Sequence, residues 1–86
     1  MQYVLITGAY GGMGKAAVNA FKNAGYFVFA LDKNIENAED NVLPIQADIT
    51  NKEIIEKAMQ IVQSHTNHLT AILHFAGIYK IGRAHV

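Results

Sequence analysis

The sequence predicts an α/β chain whose strands lie parallel in a sheet covered by helices on both faces, one half of a doubly wound arrangement. Three observations carry this. Four short apolar runs are continuous rather than alternating, which is the pattern of strands buried on both sides. Segments of helical period separate the first run from the second and the third from the fourth. A cluster of glycines stands where the first run turns into the first helix.

Tyr3-Val4-Leu5-Ile6 is the first strand, apolar and partly β-branched. Met13 to Ala24 follows as a helix, with Ala16, Ala17, Val18, Ala20, Phe21 and Ala24 forming a broad apolar face and Gly25 as its stop signal. Tyr26 to Leu31 is a second buried strand that stops at Asp32. Lys33 to Asn41 is polar and too short for more than a turn or two of helix. Val42 to Ala47 reads as a third strand, and Pro44, which has no N–H for a ladder, moves it toward an edge or places the proline near its start. Thr50 or Asn51 caps the next helix, Glu53 lies in its first turn, and Ile54, Ile55, Ala58, Met59, Ile61 and Val62 make the buried stripe. Ser64 to Asn67 reads as a polar exit, and Leu69 to Ala76 as a fourth strand ending at Gly77. The resulting β-α-β-loop-β-α-β order, with right-handed crossovers, gives the spatial strand order 3-2-1-4.

Size and composition narrow the possible roles. Eighty-six residues suffice for one domain, and such a chain buries only about 60% of the surface it exposes unfolded. With 51% apolar and 16% charged residues the chain is neither disordered nor of low complexity. Seven basic residues against seven acidic ones leave no surplus to hold nucleic acid or anionic lipid. The absence of cysteine removes disulfides and thiolate metal sites and fits a reducing compartment. The N-terminus lacks the pattern of a signal peptide, and no apolar run approaches the roughly 20 residues that span a bilayer. A soluble, cytoplasmic location is the expectation, with no membrane partner.

Thr7-Gly8-Ala9-Tyr10-Gly11-Gly12-Met13-Gly14 is the segment with chemistry in it. In such a loop the first glycine permits the tight turn, a middle one lets backbone approach a pyrophosphate, and the last lets helix and strand pack closely. The N–H groups and the dipole of the helix start then face the phosphates. Asp32, 18 residues after Gly14 at the end of the second strand, can accept both hydroxyls of an adenosine ribose and repels the 2′-phosphate of NADP. The phosphate loop of ATP-binding proteins does not fit, because no Gly-Lys-Ser or Gly-Lys-Thr follows.

With these residues in place the chain, from residue 2 to about 79, resembles the short-chain dehydrogenases/reductases, a family with a Rossmann-type fold. Thr7-Gly8 through Gly12-Met13-Gly14 matches the family's TGxxxGxG loop and runs into Lys15-Ala16. Asp48-Ile49-Thr50 resembles the segment after the third strand, and His74-Phe75-Ala76-Gly77 stands where the family usually has Asn-Asn-Ala-Gly. The resemblance implies backbone contacts to pyrophosphate and ribose around Gly8, Tyr10, Gly11, Gly12 and Met13, with Gly14 closing the loop. It also implies Asp32 on the adenosine ribose, Asp48 and Ile49 at adenine, and Ala76 and Gly77 beside the nicotinamide-side ribose. NAD is the implied cofactor, with NADP disfavoured by Asp32 and Lys33 pulling the other way; replacing Asp32 with Ala is expected to relax the preference. His74 and Phe75 depart from the family pattern, so the role of its asparagine is not carried over. Gly11 and Gly12 together also satisfy TGxxGxxG, the loop of the extended branch of epimerases and dehydratases. The Gly-Met-Gly-Lys-Ala helix start and Asp-Ile-Thr favour the classical branch.

Family chemistry is hydride transfer at an alcohol or carbonyl carbon, with a Tyr as acid/base and a Lys four residues on that lowers its pKa. Here Tyr3, Tyr10, Tyr26 and Tyr79 are followed at that spacing by Thr7, Gly14, Ala30 and Arg83, so no YxxxK is present. Tyr79 with Arg83 is the nearest approach, but it falls too early for the family's catalytic helix, and Arg is a poor substitute for the point charge of Lys. Ile81-Gly82-Arg83-Ala84-His85-Val86 back-translates as ATC GGA AGA GCA CAC GTC, which resembles a common sequencing adapter; Lys80 as AAG fits the preceding bases. Residues 1–80 are therefore expected to be the dinucleotide-binding half of a longer, oligomeric reductase, and 81–86 a non-native tail. The fragment itself is expected to be inactive. A non-catalytic dinucleotide-binding module is the alternative from another class.

The remaining signals read more plainly. His65 and His68 have a spacing that suits a metal on a helix, but in a polar loop without carboxylates they are expected to be solvated. His74 is expected at a strand end, touching the loop or a cofactor edge. Met13 is expected to pack under the glycine loop, and Glu36, Glu39 and Asp40 to form a solvated acidic face. Tyr10 is left open between loop surface and cofactor lid.

Overall fold

The first apolar run becomes strand β1 (Tyr3–Thr7), and the glycine loop leads from it into helix α1 (Gly12–Asn23). These elements belong to a computed structural model that describes residues 1–75. Strand β2 (Phe27–Asp32), strand β3 (Val42–Gln46), helix α2 (Lys52–His65) and strand β4 (Ala71–His74) follow in order. The sheet is wholly parallel with the order β3-β2-β1-β4, as the sequence predicts. Leu5 lies beside Phe29, and Phe29 beside Leu43, so same-facing side chains line up across the strands.

Alternation along the strands divides the core into two layers. Val4, Ile6, Val28 and Ala30 point to one face, where Ala17, Val18 and Phe21 of α1 cover them. Leu5, Phe29 and Leu31 point to the other, under Ile54, Ala58, Met59 and Val62 of α2. Phe29, Ile6, Leu31, Val4 and Val28 are completely enclosed, which explains why the first two strands read as continuous apolar runs. Pro44 sits in the middle of β3, beside Ala30, and β3 is an edge strand where a missing N–H faces outward without cost.

Helix α1 ends as Gly25 signals. Gly25 has φ +91°, its N–H donates to Lys22 O at 3.0 Å, and the Tyr26 N–H donates to Phe21 O at 3.0 Å. This is a Schellman closure, and its usual apolar contact is present as Phe21 and Tyr26 meeting edge to face, 5.0 Å between ring centres. Asn51 caps α2, its side chain accepting the Ile54 N–H at 3.2 Å, a contact worth about 1 kcal/mol.

Helix α2 runs further than the sequence suggests. Ser64 and His65, expected in a polar exit, form its last turn. Ser64 Oγ donates to Ile61 O at 2.6 Å and the His65 Nδ1–H to the same carbonyl at 3.0 Å, so both polar side chains fold back onto the last turn of the helix. The His65 ring also lies against Phe27 and Phe29, with centres 6.0 Å and 5.6 Å away. β4 is shorter than the predicted 69–76 run. Thr70 and Phe75 nonetheless donate to Tyr3 O and Thr7 O, at 2.8 Å and 2.9 Å, so the ladder with β1 extends beyond both its ends. Ala76 and Gly77 lie outside the described residues. Among those described, no strand flanks the outer edge of β4, where Ile72 is half exposed.

Candidate functional site

Parallel strands bring the ends of β1, β2 and β3 to one edge of the sheet, and of the predicted site residues the described ones, Gly8 to Gly14, Asp32, Asp48 and Ile49, follow those strand ends. Gly8 leaves β1 with φ +66°, and a turn closes with the Gly11 N–H on Gly8 O at 3.2 Å. Gly11 is the N-cap of α1 and offers no side chain to the helix end. The first intrahelical bond is Lys15 N–H to Gly11 O at 2.8 Å, so the N–H groups of Gly12, Met13 and Gly14 have no helical acceptor. No acidic residue occupies the first turn, leaving the positive end of the helix dipole uncompensated.

Gly14 is enclosed, and a Cβ placed there would fall 1.9 Å from Gly8 O and 2.9 Å from the Ala9 Cα. Helix and loop therefore touch backbone to backbone, and the loop is shaped by that contact. Gly12 is the opposite case: a Cβ there meets nothing within 4 Å. Such an open, side-chain-free surface at the helix start is a cradle that backbone N–H groups can offer to phosphate oxygens. Met13 does not pack under the loop as expected. It is 74% exposed, because Gly14, one residue on, takes the inward direction of the first turn.

Asp32 ends β2 beside this loop. Its Oδ2 accepts the Tyr10 N–H at 2.9 Å and its Oδ1 accepts the Lys33 N–H at 2.7 Å. The Tyr10 side chain is not loop surface: its ring packs on the α1-side core, and its hydroxyl is buried with no partner among the described residues. Burial, followed by the charges of Glu36, Glu39 and Asp32, pushes the Tyr10 phenol above its ordinary pKa.

Asp48 follows β3. Its Oδ1 accepts both the Thr50 N–H at 2.9 Å and the Thr50 hydroxyl at 2.7 Å, closing the turn that starts α2. These two bonds, side chain first, hold the Asp48 carboxyl below the usual range, with a smaller contribution from Lys33. Ile49 is half-buried against the α2-side core. Asp32 and Asp48 thus end adjacent strands on the edge that carries the glycine loop.

Sequence reasoning missed two features. His74 stands at the end of β4, as expected, but its Nδ1 pairs with the buried Thr7 hydroxyl at 3.1 Å. The parallel register that sets Thr7 beside His74 is the signal that finds this pair. The acidic segment is also less free than expected. Lys15 reaches Glu36 at 2.7 Å and Lys22 reaches Glu39 at 2.5 Å, with the partners remaining substantially exposed. Lys15 and Lys22 are seven residues apart, two helical turns, so one face of α1 presents both. Among the described residues no cluster of three metal-binding side chains occurs, and no helix is long and apolar enough to cross a membrane.

Comparisons with known proteins follow the same line. The sequence profile of the short chain dehydrogenase family matches residues 2–86. A 1,2-dihydroxy-1,2-dihydronaphthalene dehydrogenase of Pseudomonas putida is 33% identical over 85 residues, covering 91% of this chain and 33% of that protein. A short chain dehydrogenase family protein of Francisella tularensis superposes with a TM-score of 0.78 at 29% identity, covering 90% of this chain and 31% of that one. A short chain dehydrogenase of Leptospira borgpetersenii, solved with bound NAD+, superposes with a TM-score of 0.73 at 26% identity, covering 83% of this chain and 29% of its own. The parallel sheet of order β3-β2-β1-β4 with its alternating helices is the Rossmann-like fold of these structures. The chain belongs to the short chain dehydrogenase family, and it spans about a third of the length of the relatives it matches.

Proposed function

We propose that residues 1–80 are the NAD(H)-binding, N-terminal part of a classical-branch dehydrogenase/reductase that moves hydride between a nicotinamide and an alcohol or carbonyl compound. The carrying observation is the open start of α1, with its Gly12, Met13 and Gly14 N–H groups, set beside the Asp32 carboxylate at the end of β2. The first supplies donors and a positive dipole end for a pyrophosphate, the second acceptors for a ribose diol. Gly8, Tyr10 and Gly11 shape the loop, and Asp48 and Ile49 flank the adenine side. Ala76 and Gly77, beyond the described residues, keep their proposed place near the second ribose.

When bound, the nicotinamide supplies the hydride acceptor or donor. The part of this chain is to bind and orient: the helix start anchors the phosphates, and Asp32 fixes the adenosine end. The negative Asp32 disfavours a 2′-phosphate, so NAD is the preferred form. The relative named for dihydrodiol dehydrogenation supports an alcohol as substrate. Proton transfer requires a Tyr–Lys pair that this sequence does not contain, so the 86-residue chain alone is inactive. A cytoplasmic, homo-oligomeric protein is part of the same reading.

Two measurements test it. Calorimetric titration of the full-length protein is expected to show NAD+ binding more tightly than NADP+; binding of neither overturns the dinucleotide reading. Sequencing the source DNA past codon 80 is expected to reveal an open frame reaching a YxxxK. A stop codon directly after Val86 removes the enzyme reading and leaves a binding module, the reading favoured by the missing YxxxK.

A further inference from the structure

We infer that Asp32 is a latch for the glycine loop, holding it through the Tyr10 amide, in addition to accepting a ribose; the inference rests on the dinucleotide reading above. Between Gly8 and Gly14 the loop is tied to β2 at two neighbouring points. The Ala9 N–H donates to Leu31 O at 3.2 Å, and the Tyr10 N–H donates to Asp32 Oδ2 at 2.9 Å. Among the described residues Asp32 is the side chain that hydrogen-bonds this stretch. The Tyr10 ring, packed on the α1-side core, fixes the same residue from its other end. Tyr10 is thus clamped between core and carboxylate, and the turn that presents Gly12 to Gly14 hangs from it.

The two roles of Asp32 are compatible. An ionised carboxylate offers about four lone-pair positions. The Tyr10 and Lys33 amides take one on each oxygen. One position on each oxygen remains, which matches the two vicinal hydroxyls of a ribose. The same group can therefore hold the loop and read the diol together, without releasing one to gain the other. A bond from a backbone N–H to a carboxylate is charge-assisted, and its loss in a partly buried loop frees the segment that binds the pyrophosphate.

The latch changes what a substitution at Asp32 does. If Asp32 only accepted ribose and repelled a 2′-phosphate, Asp32→Ala would weaken NAD+ and strengthen NADP+. With the latch, the released loop costs both dinucleotides pyrophosphate contacts.

The test uses the full-length protein and Asp32→Ala, with calorimetric titration of NAD+ and NADP+ and hydrogen–deuterium exchange at the Tyr10 amide without ligand. The expected result is Tyr10 exchange faster by about tenfold or more, with affinity lowered by about tenfold or more for NADP+ as well as NAD+. NADP+ affinity equal to or above wild type overturns the latch, and so does unchanged Tyr10 exchange. Should Asp32→Ala not fold, Asp32→Asn keeps the shape but replaces the charge-assisted bond with a neutral one or with an NH2 facing the amide, so exchange at Tyr10 must rise; unchanged Tyr10 exchange overturns the latch. Failure of the wild type to bind either dinucleotide defeats the functional reading alone, and the ligand-free exchange then decides the latch.

Discussion

Gly14→Ala is the sharpest perturbation of the loop. The added Cβ would lie 1.9 Å from Gly8 O and 2.7 Å from Gly8 C, both backbone atoms that no rotamer change can move. To restore ordinary contact the start of α1 must retreat from β1 by about 1.5 Å, or the loop must open by as much. Overpacking of this kind costs about 3 kcal/mol, and the retreating helix gives up part of its seat on Val4 and Ile6. In a protein of a few hundred residues that corresponds to a melting point lowered by roughly 6–12 °C. Gly12→Ala is the control, since its Cβ meets nothing within 4 Å and its effect on stability should stay within about 0.5 kcal/mol. Thermal and denaturant unfolding of the two full-length variants beside wild type is the assay. If Gly14→Ala melts with Gly12→Ala, the backbone-to-backbone seat of the helix is not what shapes the loop.

Three further predictions rest on single contacts. Tyr10→Phe removes a buried hydroxyl that has no partner among the described residues, so stability should hold or rise by up to about 1 kcal/mol; a loss of that size in the unfolding free energy from denaturant titration would refute the packing described. Because the folded Tyr10 phenol titrates above its unfolded value, the wild type keeps full stability below the unfolded value and loses it as pH rises through the folded one, a loss Tyr10→Phe should not show. Thr50→Val deletes the hydroxyl bonded to Asp48, so the Asp48 carboxyl should titrate higher when its side-chain carbon is followed by NMR. The depressed value means its stabilising contribution is present above the unfolded carboxyl pKa and lost as pH falls through the folded one; an unmoved midpoint in Thr50→Val would contradict the bonding. Finally, a polypeptide of residues 1–86 should associate through β4 and the exposed Ile72, and Ile72→Lys should reduce light scattering from it; equal scattering would place the sticky surface elsewhere.

The parts of the fold that depend on burial were legible in the sequence. Val4 to Ile6 and Val28 to Leu31 are enclosed on both faces, so no polar residue interrupts them and the strands announce themselves. Gly25 and Pro44 were readable for a related reason, since each has a backbone property that few positions accept. The end of α2 was not legible. His65 is polar, but its ring rests on Phe27 and Phe29, contacts that no local pattern encodes. The site divides in the same way. Gly14 and Asp32 could be placed by spacing, whereas the bonds from Asp32 to the Tyr10 and Lys33 amides depend on how the loop folds back onto β2. Met13 was misplaced because an apolar residue in a loop suggests packing, and only the helical phase shows that Gly14 occupies the inward position.

The strand order has a consequence for how the chain comes to be folded. β1 meets β2 as its first neighbour, Leu5 beside Phe29, but its second neighbour is β4, and the Thr7–His74 hydrogen bond joins residues 67 positions apart. In closure entropy the longer span adds only about 1 kcal/mol, because the penalty grows with the logarithm of length. In time it matters more. At about 5–20 residues per second, several seconds of synthesis separate the two partners, and throughout that interval one edge of the central strand has no neighbour of its own. A nascent chain in that state is open to pairing with the β4 of another copy, so for this topology the hazard is one of timing during synthesis rather than of weakness in the finished sheet.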